Sequence, residues 1–509
     1  MNKEAIPLLI HGGHIIDPSQ GIDRVGDLLI DKGKIVQAGG TVILSQSSEP
    51  KLQAKRGGSA GEAKNLDATG LIVCPGFIDL HCHLREPAFV PDLVRDQETI
   101  ATGTKAAATG GFTTVCCMAN TNPPLDSPSA VAWVKQKANK DSLVAVLPIG
   151  CITKGRKGEE LTDMAELAEA GVLAFSDDGD PVASSQLMRR AMEYSRDLGL
   201  PIIDHCEDRA LSNNGIINEG QMSAKLGLKG IPGAAEEIMV ARDLILVKLT
   251  KAILHIAHVS TKGSVELIRH AKEEGISVTA EVTPHHLTLT EERIMRRGGL
   301  ALPLGRASNK PFDPNAKVNP PLRTKEDVEA LTKGLKDGVI DAIATDHAPH
   351  TLADKNCGLE LAAFGISGFE TAFACLMGLV HKKEMSLAML LSKLTCEPAK
   401  VIGRNGELGT LKAGTSANVT ILDPEWEWTV DSRNFASNGR NTPYDGYRFK
   451  GKVLATIVNG KIVYIDDLLK SRFAPVPCHS ELIPCHSEPN LSHSTPAPCH
   501  SERSEESHG

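Results

Sequence analysis

The middle of this chain alternates short apolar segments with amphipathic ones, and this alternation limits the fold class. Eight segments are apolar and short enough to be buried strands: GFIDLH, FTTVCCM, LVAVLPIG, GVLAFSD, LPIIDH, AILHIAH, ISVTAEV and VIDAIATD. Most are separated by runs with helical periodicity, such as DMAELAEAG and SVELIRHAKEEG. Eight strands alternating with helices over roughly 330 residues predict an α/β fold of the (β/α)8 TIM-barrel type. A doubly wound open sheet is the alternative, but no glycine-rich nucleotide-binding turn follows the first strand.

Strand-rich segments with glycine turns lie at both ends of the chain, outside this alternation. LLIHGGHIID and DLLIDKGKIVQAGG are near the start, and GTLKAGTSANVTILDP and KGKVLATIVNGKIVYIDD are near the end. Short runs of this kind are typical of β structure. We therefore expect one small β-sandwich domain that is assembled from residues 1–67 and 405–470, with the barrel at 68–404 between them.

The end of the chain differs from everything before it. From Phe473 no apolar periodicity is visible, and Pro-Cys-His-Ser-Glu occurs three times, beginning at Pro477, Pro484 and Pro498. Adjacent Cys-His pairs without fixed loops make a poor preformed metal site. We predict that residues 471–509 form a disordered tail, which the barrel does not need for its function.

Composition and charge exclude several classes of protein. The net charge of −8 argues against a general nucleic-acid binder, and no apolar segment is long enough for a signal peptide or a membrane span. Of the 12 cysteines, eight sit in or beside apolar runs, and no Cys-x-x-Cys pair occurs. Buried, reduced thiols in a cytoplasmic protein are therefore expected, rather than disulfides or a structural zinc site.

Side chains suited to metal binding follow five of the eight predicted strands. They are His81 and His83 after the first, Asp177 and Asp178 after the fourth, His205 after the fifth, His255 and His258 after the sixth, and Asp346, His347 and His350 after the eighth. In a (β/α)8 barrel the carboxyl ends of all strands meet at one rim, where active sites are built. His81 and His83 are two positions apart on a strand and share a face, which Arg85 shares too. The agreement of five strand ends predicts a metal site at the rim.

A set of four of these histidines and two of these carboxylates at one rim would favour a borderline divalent metal. Zinc fits first, with manganese, cobalt or iron as alternatives. Six ligands exceed the needs of one tetrahedral ion, whereas two ions bridged by a carboxylate and a hydroxide use all of them. Metal coordination lowers the pKa of water from about 15.7 to about 7, and a nearby carboxylate can pass its proton to a leaving nitrogen. This chemistry predicts hydrolytic attack on an amide-like carbon.

Ten motifs together resemble those of the amidohydrolase superfamily, and within it those of the bacterial class I dihydroorotases. They are PGFIDLHCHLREP (75–87), GGFTTVCCMANTNPP (110–124), TKGRKG (153–158), FSDDG (175–179), DHCED (204–208), HVSTKGS (258–264), EVTPHH (281–286), KVNPPLR (317–323), ATDHAPH (344–350) and FGISGFET (364–371). The resemblance covers about residues 6 to 466 and leaves out the tail.

The resemblance implies a role for each rim residue. The metal ligands would be His81, His83, Asp178, His205, His258 and Asp346. Asp346 would also be the catalytic base, and two Zn²⁺ ions per subunit would be bridged by Asp178 and a hydroxide. Asp178 stands where many relatives, such as hydantoinases and allantoinases, carry a carbamylated lysine. The choice of Asp178 over its neighbour Asp177, which we expect to be structural, rests on the resemblance alone.

The resemblance also implies a small-molecule substrate that carries a carboxylate. This substrate would be N-carbamoyl-L-aspartate or its cyclic form L-dihydroorotate, an intermediate of pyrimidine synthesis. The substrate-binding residues would be His83, Arg85, Asn120, Asn319, His350, Phe364 and Gly365. A guanidinium suits bidentate carboxylate recognition. From the residues alone, turn formation beside prolines explains the two asparagines equally well.

Two other functions fit parts of this pattern. Another cyclic amidase, such as a hydantoinase or allantoinase, would use the same metals, but its neutral ring needs no arginine clamp. A non-catalytic scaffold for aspartate carbamoyltransferase would be expected to lose ligand histidines, which this chain keeps. A homodimer or a complex with that transferase is expected, and no nucleic acid or membrane. Ala88, Ala119 and the long segment 299–314 depart from the family pattern near the substrate site.

Overall fold

The computed structural model describes residues 7–42, 64–88, 96–295 and 312–475. Of the predicted tail at 471–509, residues 476–509 lie outside the described residues. So do the residues directly after Ala88 and most of the long segment at 299–314. Predictions about these parts of the chain stay predictions.

Eighteen strands form in the described residues. In chain order they are β1 (Leu8–Asp17), β2 (Ile22–Asp31), β3 (Lys34–Ala38), β4 (Lys64–Asp67), β5 (Ile72–Pro75), β6 (Phe77–Cys82), β7 (Phe112–Cys117), β8 (Ala145–Pro148), β9 (Ile202–Asp204), β10 (Ile217–Asn218), β11 (Gly230–Ile231), β12 (Leu254–Ile256), β13 (Val278–Val282), β14 (Ala342–Ile343), β15 (Val419–Thr429), β16 (Arg448–Val458), β17 (Lys461–Ile465) and β18 (Phe473–Pro475).

Fifteen α-helices form in the same residues, most of them between the strands of the middle region. They are α1 (Ile100–Thr109), α2 (Pro128–Asp141), α3 (Met164–Ala170), α4 (Ser185–Leu198), α5 (Arg209–Ser212), α6 (Gln221–Leu226), α7 (Ala234–Thr250), α8 (Lys262–Glu273), α9 (Pro284–Thr288), α10 (Lys325–Lys336), α11 (Leu352–Asn356), α12 (Phe369–His381), α13 (Leu387–Leu394), α14 (Cys396–Val401) and α15 (Asp467–Lys470). None of the described helices is long and apolar enough to cross a membrane.

Helix α8 illustrates why the runs between the strands of the middle region are amphipathic. The side chain of Thr261 caps its first turn by accepting a hydrogen bond from the Ser264 N–H. Its buried side chains include Val265, Ile268 and Ala271, which recur every three positions and so face one side. Each amphipathic run buries one stripe against the strands in this way, and its polar side faces water.

Seven of the eight predicted strands form in the middle region. Strands β6, β7 and β8 make a parallel three-stranded sheet, and β9, β12, β13 and β14 make a parallel four-stranded sheet. Isolated bridges extend the two sheets towards each other. Gly150 pairs with Phe175 and Phe175 with Ile202, and Cys82 pairs with His347. The middle region is therefore a mixed α/β structure built on parallel strands.

The prediction of a strand at GVLAFSD was wrong, because only a bridge at Phe175 forms there. The segment does bond to both neighbours: the Phe175 N–H donates to Pro201 O and the Leu173 N–H to Pro148 O. Further bonds run from the Gly150 N–H to Ala174 O, from the Ser176 N–H to Gly150 O and from the Ile203 N–H to Phe175 O. The segment is therefore bonded to both neighbours, but the pairing is too short to make a strand.

Both chain ends contribute to one nine-stranded sheet. Its main path runs β17-β16-β15-β5-β1-β2-β3, and β4 pairs with both β1 and β18. One face carries a separate apolar cluster that draws on both ends, including Leu28, Leu66, Ile421 and Ile457, all buried. The two terminal segments thus share a core that neither has alone.

The predicted domain boundaries differ from this sheet at two places. Strand β5 lies beyond the predicted boundary at 67/68, yet it pairs with β1 and β15 in the terminal sheet. Strand β18 was assigned to the tail, which was predicted to begin at residue 471, but Phe473 pairs with Leu66 of β4. The positions of β5 and β18 are both decided by pairing with strands that are distant in sequence. The periodicity of nearby residues carries no signal for such pairing.

The prediction of buried thiols is confirmed for the described residues. Nine cysteines there are free, and eight are buried, namely Cys74, Cys82, Cys116, Cys117, Cys151, Cys206, Cys375 and Cys396. These eight are the cysteines in or beside apolar runs. They behave as small apolar side chains of the core.

Candidate active site

Most of the predicted site residues surround one cavity at the ends of the parallel strands. The cavity has a volume of about 430 Å³. Its lining includes His83, Arg85, Asn120, Asp178, His205, His258, Asn319, Asp346, His350, Phe364 and Gly365. Every predicted site residue except His81, which is fully buried, therefore lines this cavity.

A first group of possible ligand atoms comes from β6 and from the segments after Phe175 and β14. His81 Nε2 lies 3.3 Å from Asp178 Oδ1, and His83 Nε2 lies 3.7 Å from Asp178 Oδ2. Asp346 Oδ1 lies 3.0 Å from His83 Nε2 and 3.7 Å from His81 Nε2. Two imidazoles and two carboxylates thus converge on one point.

A second group of ligand atoms shares the Asp178 carboxylate with the first. Asp178 Oδ1 lies 3.6 Å from both His205 Nδ1 and His258 Nε2. These two histidines follow β9 and β12, and their nitrogens are 2.9 Å apart. Among the described residues, Asp178 is therefore the carboxylate that lies within 4 Å of both pairs of histidines.

The two groups fit a divalent metal on the chemistry of their atoms. His81 Nε2 and Asp178 Oδ1 are buried and have no hydrogen-bond partner among the described residues. With bonds of about 2.1 Å, a tetrahedral ion holds two of its ligand atoms about 3.4 Å apart. The N···O distances from Asp178 to the four histidines, 3.3 to 3.7 Å, match that spacing. Orphaned ligand atoms at this spacing would be costly without an ion.

Glu281 contacts two buried histidines at this cluster, and it was not predicted from the sequence. Its Oε1 lies 2.8 Å from His81 Nδ1 and its Oε2 lies 3.1 Å from His255 Nε2. A carboxylate can only accept a hydrogen bond, so His81 Nδ1 carries the proton and donates. The other ring nitrogen, Nε2, therefore keeps its lone pair for a metal. The available signal was a glutamate inside the apolar strand TAEV of β13.

Three residues at the cluster adopt left-handed backbone conformations. The φ angles are 57° for Arg85, 32° for His258 and 45° for Asp346. Such conformations cost about 1–3 kcal/mol for residues other than glycine and persist only where surrounding contacts hold them. Each follows a parallel strand and turns the chain at the cavity.

Asp177 and Asp178 are neighbours with different surroundings. Asp177 Oδ1 accepts hydrogen bonds from the backbone N–H groups of Ile152, at 2.8 Å, and Thr153, at 3.1 Å. Burial raises its pKa to about 6. Asp178 turns its carboxylate to the histidines instead. Asp177 thus ties two loops together, which agrees with the structural role expected for it.

Arg85 reaches the cavity without a carboxylate partner in the described part of the chain. Its Nε donates to Pro349 O at 3.3 Å, and its Nη2 lies 3.3 Å from His350 Nε2. Its neighbour Glu86 is occupied elsewhere, since its Oε2 accepts the Ile100 N–H at 2.7 Å. Arg85 and Glu86 therefore form no ion pair with each other, and the guanidinium keeps donors for an anion.

The two predicted asparagines contact the histidine cluster. Asn120 Oδ1 lies 2.8 Å from His83 Nδ1, and its Nδ2 donates to Asp178 Oδ2 at 3.3 Å. Asn319 Nδ2 donates to Glu207 Oε2 at 3.1 Å. Glu207 also lies 3.1 Å from His205 Nε2 and was not predicted. Both asparagines therefore orient predicted ligands in addition to lining the cavity.

His350, Phe364 and Gly365 form the wall opposite the cluster. His350 Nε2 lies 2.7 Å from Phe364 O, which only an N–H can satisfy, so this nitrogen donates to the carbonyl. Gly365 has φ 142°, and a Cβ atom there would lie 2.7 Å from Ala348 O and 3.0 Å from His350 Nε2. Glycine is required for the two segments of this wall to approach so closely.

Burial and charge act in opposite directions on the carboxylates of the cluster. Burial alone would raise the pKa of Asp346, but a hydrogen bond from His83 and the charge of His81, when His81 is protonated instead of metal-bound, hold this pKa below its usual range. For Glu281, burial is likewise outweighed by hydrogen bonds from His255 and His81, which lower its pKa to about 2. Both groups are therefore ionised at neutral pH and act as acceptors.

Hydantoinases are among the solved structures that share this fold. An L-hydantoinase (dihydropyrimidinase) from Arthrobacter aurescens matches with a TM-score of 0.74 and 24% identity, over 90% of this chain and 96% of that one. A D-hydantoinase matches with a TM-score of 0.73 and 24% identity, over 90% and 95%. At this identity the likeness concerns the fold alone.

Sequence comparison gives a more specific result. A family model described as Dihydro-orotase-like matches residues 70–264. The protein named Dihydroorotase from Thermoanaerobacter sp. (strain X514) is 49% identical over 461 residues, 90% of this chain and 98% of that protein. The Dihydroorotase of Citrifermentans bemidjiense is 47% identical over 90% of this chain and 99% of its own length. The chain therefore belongs to the dihydroorotase family.

Proposed function

We propose that the protein is a dihydroorotase, a cyclic amide hydrolase that interconverts L-dihydroorotate plus water and N-carbamoyl-L-aspartate in pyrimidine synthesis. The observation that carries this proposal is the Arg85 guanidinium, which has no carboxylate partner in the described residues and lies beside the histidine cluster. A neutral hydantoin ring would leave this charge unused. The ring carboxylate of dihydroorotate would pair with it through charge-assisted hydrogen bonds.

We infer that the cluster holds two zinc ions, with His81, His83, Asp178, His205, His258 and Asp346 as ligands. Asp178 faces both histidine pairs and is the residue suited to bridge the ions. When bound, zinc would act as a Lewis acid on the substrate carbonyl and make water nucleophilic at neutral pH. Glu281 would fix His81 with its Nε2 towards the metal.

Asp346 is the group that moves the proton. In hydrolysis it takes a proton from the attacking water, the ring C–N bond breaks, and the same proton goes to the leaving nitrogen. In cyclisation it removes the proton from the ureido nitrogen, that nitrogen attacks the side-chain carboxyl group, and water leaves. The low pKa of Asp346 keeps it ionised and ready to accept. Its Oδ1 lies among the ligand nitrogens, close to where the reaction would occur.

The opposite wall would bind the substrate ring. Arg85 would hold the carboxylate, with Asn120, Asn319 and His350 as further polar contacts and His83 beside the attacked carbon. Phe364 and Gly365 would receive the ring edge through their backbone. The cavity of about 430 Å³ is of the size used for small ligands.

The same proposal includes the finer architecture. The bridges at Phe175 and His347 connect the two parallel sheets on both sides, which supports a closed (β/α)8 barrel. The terminal sheet would form the β-sandwich domain beside it. We place the protein in the cytoplasm, as a homodimer or in a complex with aspartate carbamoyltransferase.

A substrate panel tests the function. Purified protein with measured zinc content is assayed for hydrolysis of dihydroorotate, hydantoin and allantoin. We expect turnover of dihydroorotate alone, and a loss of at least ~10²-fold in kcat for Asp346→Asn with metal retained. Preference for hydantoin would overturn the proposal, and metal-loaded protein inactive on all three substrates would favour a scaffold.

A further inference from the structure

The wall opposite the metal cluster consists of two chain segments that meet at a single backbone bridge, between His347 and Ile366, and not in a sheet. One is residues 347–350, directly after the ligand Asp346, and the other is residues 364–367. We call them the first and second wall segments. His350 belongs to the first, Phe364 and Gly365 to the second, and all three line the cavity. The width of the cavity depends on how these segments are held together.

One side chain connects the two wall segments through four hydrogen bonds. Asn441 Nδ2 donates to Ala348 O at 3.0 Å and to Gly365 O at 2.9 Å. Its Oδ1 accepts from His350 N at 2.9 Å and from Ser367 Oγ at 2.8 Å. Each of these two atoms thus bonds once to each segment. Asn441 is 2% exposed, and both donors and both acceptor sites of its side-chain amide are used. Replacing it would leave buried polar groups of the wall segments without partners, which is costly.

Asn441 belongs to the connection between β15 and β16, residues 430–447, which we call the cross-connection. Gly439, two residues earlier, approaches so closely that a Cβ atom would clash with Pro349 and Ser367. The cross-connection is itself bonded to helix α12, because Glu370 accepts hydrogen bonds from the N–H groups of Ala436 at 3.0 Å and Ser437 at 3.2 Å. The connection of a strand pair in the terminal sheet therefore supports the substrate cavity.

We propose that Asn441 is a positioning residue for substrate binding, which sets the separation of the two wall segments without touching the substrate. This inference rests on the proposed function and concerns KM more than kcat. The metal cluster has its own supports, since Asp346 contacts His83 and its neighbour Thr345 bonds to Asp79. Loss of Asn441 should therefore displace His350 and Gly365 more than the reacting groups.

The test uses Asn441→Asp in the full-length, metal-loaded protein. Aspartate keeps the size and the two accepted bonds, but it places an oxygen against Ala348 O and Gly365 O, where it repels both. We expect KM for dihydroorotate to rise at least about 10-fold, with kcat within about 3-fold and zinc content unchanged. Hydrogen exchange should increase in peptides that cover both wall segments. Asn441→Ala should act in the same direction.

Asn218→Ala is the matched control. Asn218 is also a buried asparagine, bonded to Glu291 and Arg323, and it does not line the cavity. It should lower Tm without changing KM or exchange in the wall segments. The inference is overturned if Asn441→Asp leaves either KM or wall exchange as in the wild type, or if Asn218→Ala raises KM equally. A wild type that does not turn over dihydroorotate contradicts the function instead, and the exchange measurement then still decides the role of Asn441.

Discussion

At the scale of single residues, we propose that the charge of Arg85 lets the protein distinguish a carboxylate-bearing substrate from a neutral ring. Its side chain lies beside the histidine cluster, and its neighbour Glu86 is bonded to the Ile100 N–H. A guanidinium offers two parallel donors in a fixed plane, whereas lysine offers the same charge as a point. The geometry of this side chain, in addition to its charge, should therefore matter.

Arg85→Lys should raise KM for dihydroorotate about 10- to 100-fold, because charge-assisted bonds contribute roughly 1.5–3 kcal/mol each. Metal content should not change. Arg209→Lys is the control, since Arg209 lies at the same cavity but is paired with Asp180 at 2.6 Å. Steady-state kinetics and metal analysis check both variants. Wild-type kinetics for Arg85→Lys would contradict the proposal that Arg85 binds the substrate carboxylate, and would favour a cyclic amidase of another specificity.

Glu281→Gln should weaken metal binding by about 10- to 100-fold, the usual effect of removing the carboxylate behind a ligand histidine. The amide would present an N–H group to one of two histidines that both donate to Glu281. Zinc retained after dialysis against a graded chelator measures the effect without reference to activity. Glu370→Gln is the control, because the Glu370 carboxylate accepts the Ala436 and Ser437 N–H groups instead of contacting a ligand histidine, and this variant should keep its zinc. Equal retention in the two variants would contradict the support proposed for Glu281.

At the scale of elements, strand β18 is the last element of the described part of the chain. Phe473 packs against the apolar cluster of the terminal sheet and pairs with Leu66, which is fully buried. Residues 476–509 lack an apolar pattern able to bury a core. The folded region should therefore end near Pro475, five residues after the boundary predicted from periodicity.

Two truncations test this boundary. A chain ending at Pro475 should keep the Tm, zinc content and activity of the full chain. A chain ending at Arg472 loses β18 and about 1–2 kcal/mol of burial, which should lower Tm by a few degrees. Calorimetry of the two chains distinguishes them. Zinc lost from the longer truncation would assign a metal-binding role to the Cys-His repeats.

At the scale of the whole molecule, the cross-connection joins the terminal sheet to the substrate cavity through Asn441, and Glu370 of α12 holds the cross-connection in place. Burial raises the pKa of Glu370 from 4.5 to about 7, against the effect of the two N–H groups it accepts. Between those pH values the folded protein holds a proton that the unfolded chain has lost. The contribution of Glu370 to the free energy of unfolding is therefore greatest below pH 4.5 and falls as the pH rises to 7.

Glu370→Gln should remove this dependence, because glutamine does not titrate. The free energy of unfolding of the wild type minus that of the variant should be larger at pH 5 than at pH 8, by about 2–3 kcal/mol. Urea unfolding at both pH values measures this difference, and any constant cost of the amide cancels. A difference that is the same at both pH values would show that Glu370 is ionised throughout.

The sequence by itself determined the layout of the middle region and the types of residue at its rim. Seven strands appeared where apolar runs predicted them, because burial against helices leaves a periodic pattern in nearby residues. The histidines and aspartates after these strands were equally visible, because strand ends are local features. The motifs were specific enough to identify the family, which the comparisons confirmed.

Only the tertiary structure decided which side chains stand behind those residues. The carboxylate of Asp177 is engaged by residues 24 and 25 positions away, and Glu281 reaches His81 across 200 positions. Asn441 meets both wall segments from the far end of the chain. Strand β5 joined the terminal sheet for the same reason. Hydrogen bonds between distant segments depend on how the chain returns on itself, and a polar residue carries no periodic signal of its partner.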